Sequence, residues 1–344
     1  MTETNDSVID VCDPRLLARQ PLVSVHMLAY RHARFLAQAI ESVVAQQCTF
    51  PFELVIAEDC SPDETLDIAL AYQQRHPEII RVIHGKVNVG MHANSRRSME
   101  YCRGKYFAFC EGDDYWIDNL KLQMQVDAMD MASDISLCHT EYDRLIGKKL
   151  TKCCHQRACS PYLAEGYAYE KLLHHWTVMT ATSMYRADII RSFLVSEFSD
   201  KSWPFGDYNL ALHASLQGRI AYLPISTAVW RKVAGSATNN NPNQMLKMRL
   251  ASLACRKAFM KFHPVSDEWR QKCLCFATHT VMNAALHACN QEAFNMARRN
   301  LIAHGCTLPR FEDWLRRAAM HLRFPAYAYR LFRYAVLRIS SDTL

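Results

Sequence analysis

Along the first two-thirds of the chain, short apolar runs of strand length alternate with stretches whose apolar residues recur at helical spacing. The runs are Leu22–Leu28, Glu53–Ala57, Ile79–Ile83, Tyr106–Cys110 and Ile135–Cys138, and each is predicted to be a strand. Between them, Ala33 to Gln47 places Phe35, Leu36, Ala39, Ile40, Val43 and Val44 on one helical face. Ser61, Pro62 and Glu64 read as a capping box with proline at the first helical position, which predicts a helix to about Gln74. Further helices are expected over His92–Cys102 and over about Asn119–Met131, with Asp118 as cap.

Strand and helix in alternation, with short connections, predict an α/β fold: a mainly parallel sheet covered on both faces. In such sheets ligands bind beyond the carboxyl ends of the strands. Glu58–Asp59 and Glu111–Asp114 both stand where strands end, so two separate segments point to one rim. Residues 140–180 lack a clear period and read as loops with a short helix near Tyr169–His174. Beyond them a strand is expected at Thr182–Tyr185, a helix at Asp207–Gln217, and two short strands at Ile220–Leu223 and Thr227–Trp230. Asn239, Asn240, Asn241 and Asn243 form a polar hinge, and from Pro242 helix follows helix. The expected organisation is a flexible leader over 1–20 ending in a short helix, an α/β domain over 21–240, and an all-helical region over 241–344.

Composition narrows the class. The chain has 344 residues, half of them hydrophobic and 22% charged, enough apolar material for a full core. A net charge of +6 fits an anionic small molecule or membrane face and does not point to nucleic acid. The fourteen cysteines follow no CxxC pattern. Cys153, Cys154, His155 and Cys159 cluster without regular ligand spacing, so reduced, mostly buried thiols are expected over a zinc site. Met1–Asp13 lacks the basic start and apolar stretch of a secretory signal, and no segment has the apolar length of a membrane span. A cytoplasmic protein is expected, soluble or at the inner face of the cell membrane.

Three constellations carry chemistry. The sharpest is Cys110-Glu111-Gly112-Asp113-Asp114-Tyr115-Trp116. Three carboxylates so close repel one another unless a cation intervenes. Mn2+ or Mg2+ suits oxygen ligands and can bridge them to a diphosphate. The plainer reading is a solvated acidic turn. The second is Trp203-Pro204-Phe205-Gly206-Asp207, where Asp207 is either a general base or the cap of a helix. The third is Trp230-Arg231-Lys232, where Arg231 is either a diphosphate ligand or a surface arginine at a strand end. His92, within Asn88–Asn94, could approach a phosphate, but it, His26, His32 and His84 are read mostly as ordinary surface or core residues and none is placed in the site.

The segment Cys110–Val126 resembles the metal-binding segment of the inverting family 2 glycosyltransferases. Leu22–Gln47 is similar to that family's first strand, loop and helix. Phe52–Ala69 resembles its acid-acid-x-Ser strand end, and Asn88–Asn94 its Asn-x-Gly loop. The resemblance covers about 21–235 and implies a GT-A fold that binds a nucleotide-diphosphate sugar. It further implies that Asp113 ligates the metal, with Glu111 beside it, and that Asp59 bonds the base or ribose. Ala29 and Tyr30 would pack on the base, and Asn88 and Asn94 would belong to the donor-binding loop. Asp114 would lie near the donor sugar, Arg231 would meet the diphosphate, and Asp207 would be the base. Arg31 replaces a common asparagine, and Val233 a common histidine. The implied acceptor is a glycan or a lipid-linked molecule, in polysaccharide or other glycan assembly. A nucleotidyltransferase and a non-catalytic nucleotide-binding module are the rivals. The first would need a glycine-rich loop that Leu28–Arg34 lacks, and the second would not need the carboxylates. The arginine-rich amphipathic tail, Trp314–Ile339, either lies on an anionic membrane or packs on the catalytic domain.

Overall fold

The computed structural model describes residues 8–17, 20–155, 161–199, 203–233 and 241–306. The apolar runs become ten strands of one mixed sheet among these residues. In chain order the first elements are β1 (Ile9–Val11), β2 (Val23–Ala29), α1 (Leu36–Val44), β3 (Phe52–Glu58), α2 (Thr65–Arg75), β4 (Ile80–His84) and α3 (Met91–Met99). There follow β5 (Tyr106–Phe109), β6 (Tyr115–Trp116), α4 (Lys121–Asp130), β7 (Ile135–Ile146), β8 (Lys149–Thr151) and α5 (Tyr169–His174). After a 3-10 turn at Thr180–Thr182 come β9 (Met184–Arg186), α6 (Ala187–Val195), α7 (Asp207–Gln217) and β10 (Arg219–Lys232).

The sheet order is β1-β4-β3-β2-β5-β9-β7-β10-β6, with β8 on β7. β4, β3, β2 and β5 are parallel, β9 runs antiparallel between β5 and β7, and β10 is parallel to β7. The chain steps from β2 outward to β3 and β4, then returns to place β5 on the other side of β2. That reversal opens a crevice beyond the ends of β2 and β5. The core explains why these segments pair. Val23, Val25, Leu54, Ile56, Val82 and Ala108 are fully enclosed, and α1 buries Leu36, Ala39, Ile40 and Val43 against them. Each such Leu or Ile contributes about 1.5–3 kcal/mol.

Several expectations are corrected. Within the leader, Ile9–Val11 form an edge strand paired antiparallel with β4, and Asp13–Leu17 close only a single turn. The capping box does not form. α2 starts at Thr65, and the Ser61 hydroxyl instead accepts the Arg31 N–H at 3.0 Å. Asp118 does accept the Leu120 N–H at 2.8 Å ahead of α4. The two short strands at Ile220 and Thr227 are one strand whose register against β7 shifts on either side of Ser226. Pro224, which has no N–H to give the ladder, stands in the irregular stretch.

The chain divides into two compact units, the second comprising residues 202–204 and 234–344. Its described helices are α8 (Pro242–Phe262), α9 (Asp267–His287) and α10 (Gln291–Ala303). Asn241, read as part of a hinge, caps α8 with Pro242 at the first helical position; Ser266 and Asn290 cap the next two. Cys275 and Cys306 form a disulfide, against the expectation of reduced thiols. No described helix is long and apolar enough to cross a membrane. The basic tail, Trp314–Ile339, and Cys159 lie outside the described residues.

Candidate active site

The rim is built by loops that follow the parallel strands, and backbone geometry ties them together. After β2 the chain reverses at Arg31, which has φ 58°. The next N–H groups reach the loop beyond β3: His32 donates to Thr65 Oγ1 at 2.9 Å, and Ala33 to Asp63 Oδ2 at 3.3 Å. Glu58, fully buried, accepts the N–H groups of Cys60 and Ser61 at 2.9 and 2.7 Å. Asp59 points the other way and accepts the N–H groups of Val89 and Gly90 at 3.0 and 2.9 Å.

The Asn-x-Gly loop is therefore held by the acid that precedes it in sequence. Asn88 closes the contact in both directions, donating to the Asp59 carbonyl and accepting from Gly90. Asn94 is buried, donates to the Ala57 carbonyl at 2.9 Å and accepts from Arg97 Nε at 3.0 Å. Both asparagine side chains shape the loop. Ala29 is buried, whereas Tyr30 keeps 38% of its surface exposed beside the Arg31 guanidinium.

The acidic loop follows β5 and runs along the end of β2. Cys110 N–H donates to the His26 carbonyl, and Gly112 N–H to the Leu28 carbonyl at 2.9 Å. A Cβ at Gly112 would stand 2.7 Å from His32 Nδ1 and 3.2 Å from the Leu28 carbonyl, so the close approach requires glycine. Asp114 N–H then turns back to the Glu111 carbonyl at 3.0 Å.

Asp114 is 4% exposed and accepts the Arg231 N–H at 2.8 Å. The Arg231 guanidinium donates to the Asp113 carbonyl at 2.9 Å and to Gln38 Oε1 at 2.6 Å. It lies over the rings of Tyr115 and Phe35, at 4.6 and 4.9 Å from their centroids. Arg231 thus clamps the acidic loop to α1 from the end of β10.

Glu111 and Asp113 are the acids of this loop left half-buried. Burial, then the charges of Asp113 and Asp207, push the Glu111 carboxyl up to about 8. Asp114 is held well above the carboxylate range by burial, then by Asp113 and Glu111. Asp207 is the first residue of α7. Its Oδ2 accepts the Thr180 hydroxyl at 2.9 Å and its Oδ1 the Tyr208 N–H at 3.0 Å, while burial raises its pKa. Asp207, distant in sequence, therefore lies close enough to Glu111 for its charge to act on that carboxyl.

Two histidines read as ordinary belong to this neighbourhood. His32 Nε2 is 4.0 Å from Asp113 Oδ2, and its Nδ1 is buried without a partner. His92 lies against Gly206. His32 carries no sequence signal, because only the chain reversal after β2 brings it in; His92 has one, its place in the Asn88–Asn94 segment, although its approach to Gly206 depends on a residue far along the chain. No group of three or more His, Cys, Asp or Glu side chains among the described residues, the acidic loop included, is arranged to hold a metal.

Residues 24–191 match the model of glycosyl transferase family 2. They belong to that family. An uncharacterized protein of Mycobacterium tuberculosis, Rv1520, is 31% identical over 212 residues, covering 62% of this chain and 59% of its own length. The match thus spans about three-fifths of that relative. The chondroitin synthase of Escherichia coli is 28% identical over 171 residues, 48% of this chain and 23% of the synthase. Among solved structures, a mannosyltransferase of Pyrobaculum calidifontis in complex with GDP-Man and Mn2+ aligns with a TM-score of 0.58. It is 14% identical and covers 91% of this chain and 83% of that one. The chain has the GT-A fold, with a mainly parallel sheet and a helical C-terminal region.

Proposed function

We propose that the chain transfers a sugar from a nucleotide-diphosphate donor to an acceptor hydroxyl, with inversion at the anomeric carbon. The observation that carries this reading is the convergence of three acids from two distant segments, with Asp113 and Asp207 both close enough to raise the half-buried Glu111 carboxyl. Loop-borne carboxylates set this close together are a poor arrangement for stability alone and a good one for a cation and a proton acceptor.

Glu111 and Asp113 fit a divalent ion: both offer hard oxygen donors, and their repulsion is what such a charge relieves. Mn2+ or Mg2+ bound there supplies positive charge to the departing diphosphate. The base of the donor rests on Tyr30, which is exposed beside the Arg31 guanidinium, with the backbone at Ala29 and the carboxylate of Asp59 completing its seat. Asn88 and Asn94 contribute by fixing the donor loop, and Asp114 and Arg231 by fixing the acidic loop.

Asp207 accepts the proton of the acceptor hydroxyl while that oxygen bonds to the anomeric carbon. The bond from the carbon to the phosphate oxygen breaks on the opposite side, and the diphosphate leaves with the electron pair. The Thr180 hydroxyl and the Tyr208 N–H hold the Asp207 carboxylate still for that transfer. The setting we propose is assembly of a polysaccharide or other glycan on the cytoplasmic side of a membrane, on a glycan or lipid-linked acceptor.

A thermal-shift panel of nucleoside diphosphates with and without Mn2+ tests the binding half. One nucleotide should raise the melting temperature in a metal-dependent way, and the E111A/D113A double variant should lose both that shift and nucleotide-sugar hydrolysis. Equal shifts by every nucleotide, indifferent to metal, sink the reading.

A further inference from the structure

His92 takes no part in the chemistry above, yet its imidazole lies beside the start of α7, where Asp207 stands. Its Cε1 and Nδ1 are each 3.9 Å from where a Cβ on Gly206 would lie, one residue before Asp207. Burial raises the Asp207 carboxyl, and Thr180 and, more weakly, His92 work against that rise. The other ring nitrogen, Nε2, is shielded from solvent and has no hydrogen-bond partner. A buried group in that condition costs about 1–3 kcal/mol, and in a native protein it calls for a partner.

Polar side chains that share α3 with His92 or bond Asp207 have partners of their own. The Asn94 amide serves Ala57 and Arg97. The Ser98 hydroxyl meets His26 and the Asn94 carbonyl. The Thr180 hydroxyl serves Asp207. A sugar hydroxyl both donates and accepts, so it satisfies an imidazole nitrogen in either tautomer.

We propose that His92 Nε2 binds a sugar hydroxyl beside Asp207 and so helps to orient the reacting sugar. The inference rests on the transferase reading. The hydroxyl belongs either to the donor sugar or to a saccharide acceptor, and the two sources separate in the assay.

The test compares the full chain with H92A, H92Q and H92N, using UDP-GlcNAc and GDP-mannose with Mn2+, and D207N as the inactive control. Release of nucleoside diphosphate is followed with water alone and with added p-nitrophenyl glycosides. H92A should lose about 10–100-fold in kcat/KM, a fold-change typical of one lost substrate hydrogen bond. Stabilisation by free UDP or GDP should be unchanged, because neither carries the sugar. H92Q, whose amide nitrogen reaches the place of Nε2, should recover most of the loss, and H92N, whose nitrogen falls nearer Nδ1, should not. A raised KM for the nucleotide sugar in water assigns the hydroxyl to the donor; a loss seen only with added glycoside assigns it to the acceptor. H92A turning over like the wild type while D207N is inactive overturns the role of His92 and leaves the transferase reading standing. H92A and H92Q equally impaired, with lowered melting temperatures, also overturn it, since that marks a packing residue. A wild-type chain that releases no nucleoside diphosphate from either donor removes the transferase reading and this inference together.

Discussion

Glu111 prefers to be neutral in the folded chain, and the direction of that preference fixes what a substitution does. Its carboxyl rises from an ordinary 4.5 to about 8, so folding favours the protonated form. Below about pH 4.5 both states are protonated and nothing is lost. Between there and about pH 8 the unfolded chain ionises more readily, and the metal-free protein loses stability as pH rises. Solvent screens part of this, because Glu111 is only half-buried. E111Q should therefore melt about 2–4 °C above the wild type at pH 8 without metal, equivalent to about 1 kcal/mol for a domain of this size, and close to it at pH 5. Mn2+ should raise the wild-type melt at pH 8 and leave E111Q unmoved. Parallel melts at both pH values decide the matter, and identical wild-type and E111Q curves contradict it. Asp207 answers to a different readout. D207N keeps the size and most of the bonds of the residue but cannot take a proton. It should lower kcat by about 10²–10⁴-fold with nucleoside diphosphate binding unchanged by calorimetry.

At the scale of elements, the acidic loop stays in place because β10 reaches it from the far side of the sheet. Arg231 makes two side-chain hydrogen bonds and lies between two aromatic faces, all to hold a loop from a distant part of the chain. R231A should cost about 1–2 kcal/mol in denaturant unfolding, since it removes the hydrogen bond to the Asp113 carbonyl and the contacts with the Tyr115 and Phe35 rings. R231K should recover only part, because an ammonium cannot reproduce the planar fork. Both variants should weaken metal-dependent nucleotide binding, and an unaltered nucleotide shift in R231A would mean that the loop holds its shape alone. The same residue shows what a sequence hides. The strand ends and their acids were legible from apolar runs meeting carboxylates, and α5 and α7 from helical spacing. The partners of Arg231, the spending of Asn94 on Ala57, and the approach of His32 and His92 depend on contacts between elements far apart in the chain. No local period encodes them. The long strand β10 was read as two because Pro224 interrupts its alternation, although the pairing with β7 resumes beyond it.

At the scale of the whole molecule, the carboxylate crevice lies within the α/β unit, and the disulfide lies within the helical one. Cys275 sits in α9 and Cys306 just beyond α10, with a sequence separation of 31. Closing a loop of that size removes unfolded-state entropy worth about 3–4 kcal/mol. None of this stabilisation acts on the residues that bear the chemistry, so the two units should respond separately to reductant. Dithiothreitol, or a C275S/C306S variant, should lower the thermal midpoint followed by helical circular dichroism. The metal-dependent shift given by a nucleoside diphosphate should survive the same treatment. Mass spectrometry of the untreated chain should find the 275–306 pair in one cross-linked peptide. A melt indifferent to reductant would show that the two cysteines do not staple the helices, and a nucleotide shift lost on reduction would show that the crevice depends on the helical unit's integrity.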